Sequence, residues 1–126
     1  MLVRDCMSLD PIMIHAQDDY KNAFKLMDNH ALRHLPVLDD REQLVGILAE
    51  RELLLAATRY LLCAVEVAEV MRRDVVTVAP DMPIDEAASL MASHHIGGLP
   101  VVNGDRRVVG IITKSDIFKR IAQRTH

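Results

Sequence analysis

Half of the 126 residues are apolar, 26% are charged and the formal net charge is −3. That balance fits a globular fold of single-domain size and argues against a nucleic-acid-binding surface. The aromatic residues are Tyr20, Phe24, Tyr60 and Phe118, with no Trp, so the core must be aliphatic. No apolar run reaches the roughly 18 residues of a membrane span, and Met1–Asp5 carries no secretory signal. Cys6 and Cys63 stand outside any CxxC pair, as suits reduced thiols in a cytoplasm.

In chain order, Ile12-Met13-Ile14 reads as a short buried strand. Tyr20, Ala23, Phe24 and Met27 then recur at helical spacing. Leu35-Pro36-Val37 and the next residue form a strand whose proline belongs at its start or on an edge. Asp39-Asp40-Arg41-Glu42 turns it into a second strand, Leu44–Leu48. From Leu53 through Leu62 the chain reads as a helix apolar around most of its circumference, which calls for a cover from the other unit or from a second chain.

The second half follows the same order. Val75–Val78 is a strand, and Asp81 and Pro83 mark a helix start because proline fits a first turn that needs no N–H. Ile84, Ala87, Ala88 and Met91 give that helix its apolar face. Leu99-Pro100-Val101, the turn Asn103-Gly104-Asp105 and the strand Val108–Thr113 lead into a final helix. Lys114, Lys119, Arg120, Arg124 and His126 make that helix basic, which answers the negative end of its dipole.

The two halves match without gaps at an offset of 64. Val3 pairs with Val67, Met7 with Met71, Leu26-Met27 with Leu90-Met91, Leu35-Pro36-Val37 with Leu99-Pro100-Val101, and Val45-Gly46-Ile47 with Val109-Gly110-Ile111. The matches fall on apolar positions, Gly and Pro, where a shared backbone constrains sequence. The expectation is an α/β (α+β) chain of two β-α-β-β-α units, 1–62 with a helical linker and 63–126. A unit of about 60 residues is marginal alone, so the two are expected to pack sheet to sheet with pseudo-two-fold symmetry, and the chain to form a homodimer.

Tandem units carrying His30-Ala31-Leu32-Arg33-His34-Leu35-Pro36-Val37 and a GhhTxxD ending, Gly110 to Asp116, resemble a cystathionine-β-synthase (CBS) domain pair, or Bateman module. The resemblance covers nearly the whole chain. It implies a regulatory module that binds an adenosine-containing ligand (AMP, ADP, ATP, sometimes NAD or S-adenosylmethionine) between its units; such modules usually control an attached enzyme or transporter, and here a stand-alone cytoplasmic module that signals occupancy to an unknown partner is expected. It also implies the roles of residues. Thr113 and Asp116 would hold the ribose, since an ionised carboxylate accepts strongly from hydroxyls. Pro11 and Ile12 would border the adenine, and Arg33, His34 and Arg51 would receive phosphate. The reciprocal positions, Ala49 and Glu52 with Val75, Val76, Gly97, Gly98 and Ser115, lack both the hydroxyl and the cations and imply a degenerate site.

Plainer roles stand beside these. Thr113-x-x-Asp116 is also a helix-capping arrangement. Arg33 fits a solvated loop, His34 a hydrogen-bonded packing position, and Arg51 an exposed helix charge. His30 and the pair His94-His95 have no Cys or acidic residue at ligand spacing, so no metal is expected. No nucleophile–base pair or Gly-rich phosphate loop marks an enzyme. The alternative function is a structural homodimerisation module with a vestigial site.

Overall fold

The computed structural model describes residues 1–124, with side chains through Gln123. His126, counted above among the basic residues of the last helix, lies outside them. Each half of the chain builds a hairpin first. In β3 (His34–Leu38) and β4 (Leu44–Ala49) alternate residues of β4 are buried, the period of a strand with one face on a core. The turn is fixed by Asp39, whose carboxylate accepts from the N–H groups of Arg41 and Gln43 at 2.9 Å each. Asn103 does the same for Asp105 and Arg107 at 3.0 and 3.1 Å, between β5 (Gly98–Val102) and β6 (Val108–Thr113). Short polar side chains that bond their own backbone are what such turns require.

β2 (Ile14–His15) adds to the first hairpin in parallel, giving the order β2-β3-β4. The strand expected over Val75–Val78 is reduced to a single parallel bridge between Val78 and Val101. Pro36 sits inside β3 rather than at its start. It is tolerated because it faces Ile47, whose N–H goes to the Arg72 carbonyl instead, and because β2 begins pairing only at Val37. The missing donor therefore leaves no gap in a ladder.

α1 (Tyr20–His30) is capped by Asp19, whose carboxylate accepts from Lys21 N–H at 3.0 Å. α4 (Ile84–His94) starts one residue later than its sequence signal: Pro83 is the extended N-cap, not the first helical residue. Both helices end in a left-handed residue, Ala31 and His95, each at φ 55°. α2 (Glu50–Tyr60) buries only Leu53 and Ala56, while Leu54, Leu55, Leu61 and Leu62 are 57–94% exposed. The cover expected for this helix is not supplied within the described residues.

The hydroxyl of Tyr20 is buried with its ring, and burial pushes its pKa above the ordinary value of 10.0. It donates to the Tyr60 carbonyl at 2.6 Å, one of the last carbonyls of α2, which have no partner within the helix. Tyr20→Phe removes that donor, and thermal denaturation is expected to show Tm lower by about 3–5 °C.

Backbone pairing divides the chain differently from the repeat. One compact unit is Ile12–Val75; the other joins Met1–Pro11 to Val76–His126. The cause is an exchange of leading segments. β1 (Ser8–Leu9) lies antiparallel on β6, with Ser8 opposite Ile111 and Leu9 opposite Gly110, giving the order β1-β6-β5. At the matching place Arg72 bridges Ile47 in both directions, at 2.9 and 3.0 Å. Val3 N–H donates to Met82 O just as Val67 N–H donates to Asp18 O, both at 2.8 Å. Thus residues 1–11 complete the second hairpin and the short helix α3 (Val67–Val70) with the residues after it completes the first. The divisions at 62 and 63 mark the sequence repeat rather than the spatial units. Arg120, read from sequence as an answer to the helix dipole, donates through Nη2 to the Asp5 carbonyl and ties the last helix, α5 (Lys114–Arg124), to the leading segment.

Each unit has its own aliphatic core. Leu35, Val37, Leu48 and Leu53 pack with Tyr20 and Val67 in one. Val3, Leu99, Val101 and Ile112 pack with Ala87 and Ile117 in the other. No polar or charged residue is buried among the described residues.

Candidate functional site

Thr113 is both the last residue of β6 and the residue before α5, with Asp116 in the first turn of that helix. Asp116 Oδ2 accepts from Thr113 N–H at 2.9 Å and from the Thr113 hydroxyl at 3.0 Å. Asp116 N–H points back to the same hydroxyl at 3.4 Å. The capping arrangement is therefore formed, and it holds a half-buried carboxylate at a fixed place beside a helix N-terminus, where negative charge is favoured.

The repeat counterpart keeps half of this device. Glu52 Oε1 accepts from Ala49 N–H at 3.2 Å, but the Ala49 methyl can return nothing to the first turn of α2. Ala49→Thr supplies the missing acceptor. It is expected to stabilise the protein by about 0.5–1 kcal/mol, seen as a higher urea midpoint at unchanged slope.

Arg33, His34 and Arg51 lie on neighbouring stretches of backbone at the open end of the first hairpin. His34 begins β3 opposite Ala49, Arg33 O accepts Glu50 N–H at 3.0 Å, and Arg51 is the second residue of α2. Arg33 and Arg51 are exposed and His34 is half-buried. Arginine near a helix N-terminus suits an anion; Arg33 also lines the groove between α1 and α2, together with Asp28 and Glu50. The matching corner, where Lys114 N–H donates to Gly97 O at 3.0 Å and Gly98 faces Thr113, has glycines in place of Arg33 and His34.

Pro11 and Ile12 fall on either side of the boundary between the compact units. Pro11, expected to act from the first unit, instead belongs with Thr113 and Asp116, because β1 carries it there. The residue before it, Asp10, has φ 49°, a left-handed conformation that Asp tolerates better than most residues. Nothing in the sequence distinguished this aspartate from its match Asp74, which does not share that conformation.

Elsewhere, His15 Nε2 lies 2.8 Å from Glu42 Oε1, and that hydrogen bond raises the histidine pKa above 6.5. Among the described residues no group of three or more His, Cys, Asp or Glu could hold a metal ion. No described helix is long and apolar enough to cross a membrane.

A duplicated hairpin-and-helix unit, with a threonine–aspartate cap at the end of one copy, is matched by the profile of one family. The CBS domain profile fits twice, over residues 3–59 and 67–123. The chain belongs to the CBS domain family. Its fold matches the CBS domain pair of protein MJ0100 in complex with 5′-methylthioadenosine and S-adenosyl-L-methionine, with a TM-score of 0.91, 35% identity and 98% of each chain covered. It also matches a putative acetoin utilization protein (AcuB) from Vibrio cholerae, with a TM-score of 0.90 and 35% identity, over 99% of this chain and 94% of that one. Among curated relatives, L-aspartate semialdehyde sulfurtransferase of Methanocaldococcus jannaschii is 37% identical over 94% of this chain. Inosine-5′-monophosphate dehydrogenase of the same organism is 33% identical over 88%. This CBS pair spans only 23% and 22% of those two enzymes.

Proposed function

We propose that this CBS pair is a regulatory module without catalytic activity of its own, which binds an adenosine-containing ligand and passes its occupancy to a partner protein. The observation that carries the proposal is the Thr113–Asp116 pair, a pre-positioned carboxylate with its Oδ2 already anchored to the backbone. In this reading Asp116 and Thr113 take the ribose hydroxyls and Pro11 and Ile12 border the adenine. Arg33, His34 and Arg51 receive the phosphate of an AMP, ADP or ATP ligand. Support for the ligand class comes from the 35% identical CBS pair whose structure contains two adenosine compounds. The positions built around Ala49 and Glu52 lack the hydroxyl and form the degenerate counterpart.

Calorimetric titration with AMP, ADP, ATP, NADH, S-adenosylmethionine and 5′-methylthioadenosine tests the class. Saturable binding of at least one supports the proposal, and no heat from any at millimolar concentration sinks it. A preference for phosphate-free ligands would remove Arg33, His34 and Arg51 from the site while leaving Thr113 and Asp116.

The module also acts as a homodimer in this reading. Leu54 at 59% exposure and Phe118 at 67% occupy the same repeat position, and large apolar side chains repeated on a surface need a cover. This same feature favours the second reading, a structural dimerisation module in which the ligand site is vestigial.

A further inference from the structure

Arg120 lies on α5 with its guanidinium at the end of the turn Val3–Asp5, where Nη2 donates to the Asp5 carbonyl and Nε is buried without a hydrogen-bond partner. Its repeat position is Ala56 on α2, and the segment matching Val3–Asp5 opens α3. With a methyl group in place of the arginine, a groove of about 210 Å³ stands open between α2 and α3. Every residue that lines it belongs to the Ile12–Val75 unit.

The repeat has kept the acids while losing the arginine. Glu69 of α3 stands where the copy has Asp5, Glu52 of α2 stands where it has Asp116, and both line the groove. Glu52 Oε1 accepts from Ala49 N–H, but a carboxylate has further lone pairs to offer. Glu69 forms no ion pair among the described residues. Arg59 lines the groove too, where the copy has Gln123, which leaves one carboxylate in excess. Arg73 is engaged elsewhere: its Nη2 donates to the Ala68 carbonyl at 2.8 Å, and it does not line the groove. Leu55 and Tyr60 add an apolar wall, the surface along which the alkyl stem of a cationic chain packs.

We infer that the groove between α2 and α3 binds a guanidinium group on an alkyl stem, the chemistry of an arginine side chain. The Ile12–Val75 unit takes from outside what the other unit supplies from Arg120. A guanidinium suits the place better than an ammonium, because its planar fork donates to a carboxylate and a backbone carbonyl together. The inference does not depend on the adenosine ligand.

NMR of the isotope-labelled full chain tests it, by titration with agmatine and, separately, with arginine blocked at its amino and carboxyl ends. The expected result is a set of saturable shifts at millimolar concentration, confined to α2 and α3. Shifts with blocked arginine assign the groove to a side chain carried by a partner protein; shifts with agmatine alone assign it to a small guanidine. No saturable shift with either compound, or equal shifts with butylamine, overturns the inference. Ala56→Arg restores the arginine of the copy, and it is expected to abolish the agmatine shifts with Tm at or above that of the parent. An Ala56→Arg protein that still binds agmatine at α2 and α3, or whose Tm falls, contradicts it. Glu69→Gln, at an exposed position, should leave Tm unchanged and weaken agmatine about fivefold. Unchanged affinity in that variant removes Glu69 from the site and counts against the inference.

Discussion

Gly110→Ala and Gly46→Ala are each expected to destabilise the protein by about 3 kcal/mol, the upper end of what overpacking a tight interior costs. A Cβ at Gly110 would lie 2.8 Å from Met7 Sδ, 2.8 Å from the Ser8 carbonyl oxygen and 3.2 Å from Met7 Cγ. At Gly46 it would overlap Met71 Sδ and lie 2.9 Å from Met71 Cγ and 2.9 Å from the Arg72 carbonyl oxygen. A methionine tip can swing away, but the carbonyls belong to crossing strands held in register by the Ser8–Ile111 pairing and the double Arg72–Ile47 hydrogen bond. Relief therefore requires breaking the ladder. In Gly110→Ala the segment that yields is residues 1–11, so limited proteolysis should cut there before anywhere else. Met71→Ala in the Gly46→Ala background is expected to recover only part of the loss, since the carbonyl remains. Gly104→Ala, with nothing within 4 Å of its Cβ, serves as the control and should change the urea midpoint little. If Gly110→Ala behaves like Gly104→Ala, the exchanged packing of residues 1–11 is wrong.

Asp116→Ala is expected to weaken the adenosine ligand about 100-fold, the loss of charge-assisted hydrogen bonds to two hydroxyls. The same change removes the acceptor for Thr113 N–H and hydroxyl, so the free protein also loses stability, by about 1 kcal/mol. Asp116→Asn separates the two roles. The amide oxygen still accepts from Thr113, so stability should stay near that of the parent, while binding falls with the charge. An Asp116→Asn variant that binds as tightly as the parent would reduce Asp116 to a helix cap. Thr113→Val should lower stability by the loss of the hydroxyl and, like Asp116→Asn, weaken binding without unfolding the unit.

Much of the fold was legible because a duplicated backbone leaves a duplicated pattern. The hairpins could be drawn from Asp39 and Asn103, whose side chains bond the turn, and from the alternation in Leu44–Leu48 and Val108–Thr113. The helices could be drawn from their spacing. Gly46 and Gly110 stood out as matched glycines, yet nothing local said what crosses over them. The crossing strands contribute two residues or fewer to a ladder, too short for a period, and Ser8 meets Ile111 across nearly the whole chain. That exchange moved the unit boundary and carried Pro11 away from the residues it was grouped with. The left-handed helix ends at Ala31 and His95 were equally silent, because neither is the Gly or Asn that marks such a position. Within the candidate site, the Thr113–Asp116 cap follows from spacing alone. The grouping of Arg33, His34 and Arg51 as one site came only from the family resemblance; what the fold adds is that the pairing of His34 with Ala49 brings their stretches of backbone to one end of the hairpin. Arg120 shows the reverse case: a charge explained by the helix dipole is occupied by a backbone carbonyl from the other end of the chain.

The most direct measurement is the change in Tm of the parent protein and Asp116→Asn side by side, with millimolar S-adenosylmethionine, 5′-methylthioadenosine, AMP or ATP added. Any ligand that binds the native state raises Tm by mass action. A rise for at least one of these compounds in the parent, lost in Asp116→Asn, is the predicted result. No rise with any of them, or an equal rise in both proteins, would contradict the assignment of an adenosine ligand to Asp116.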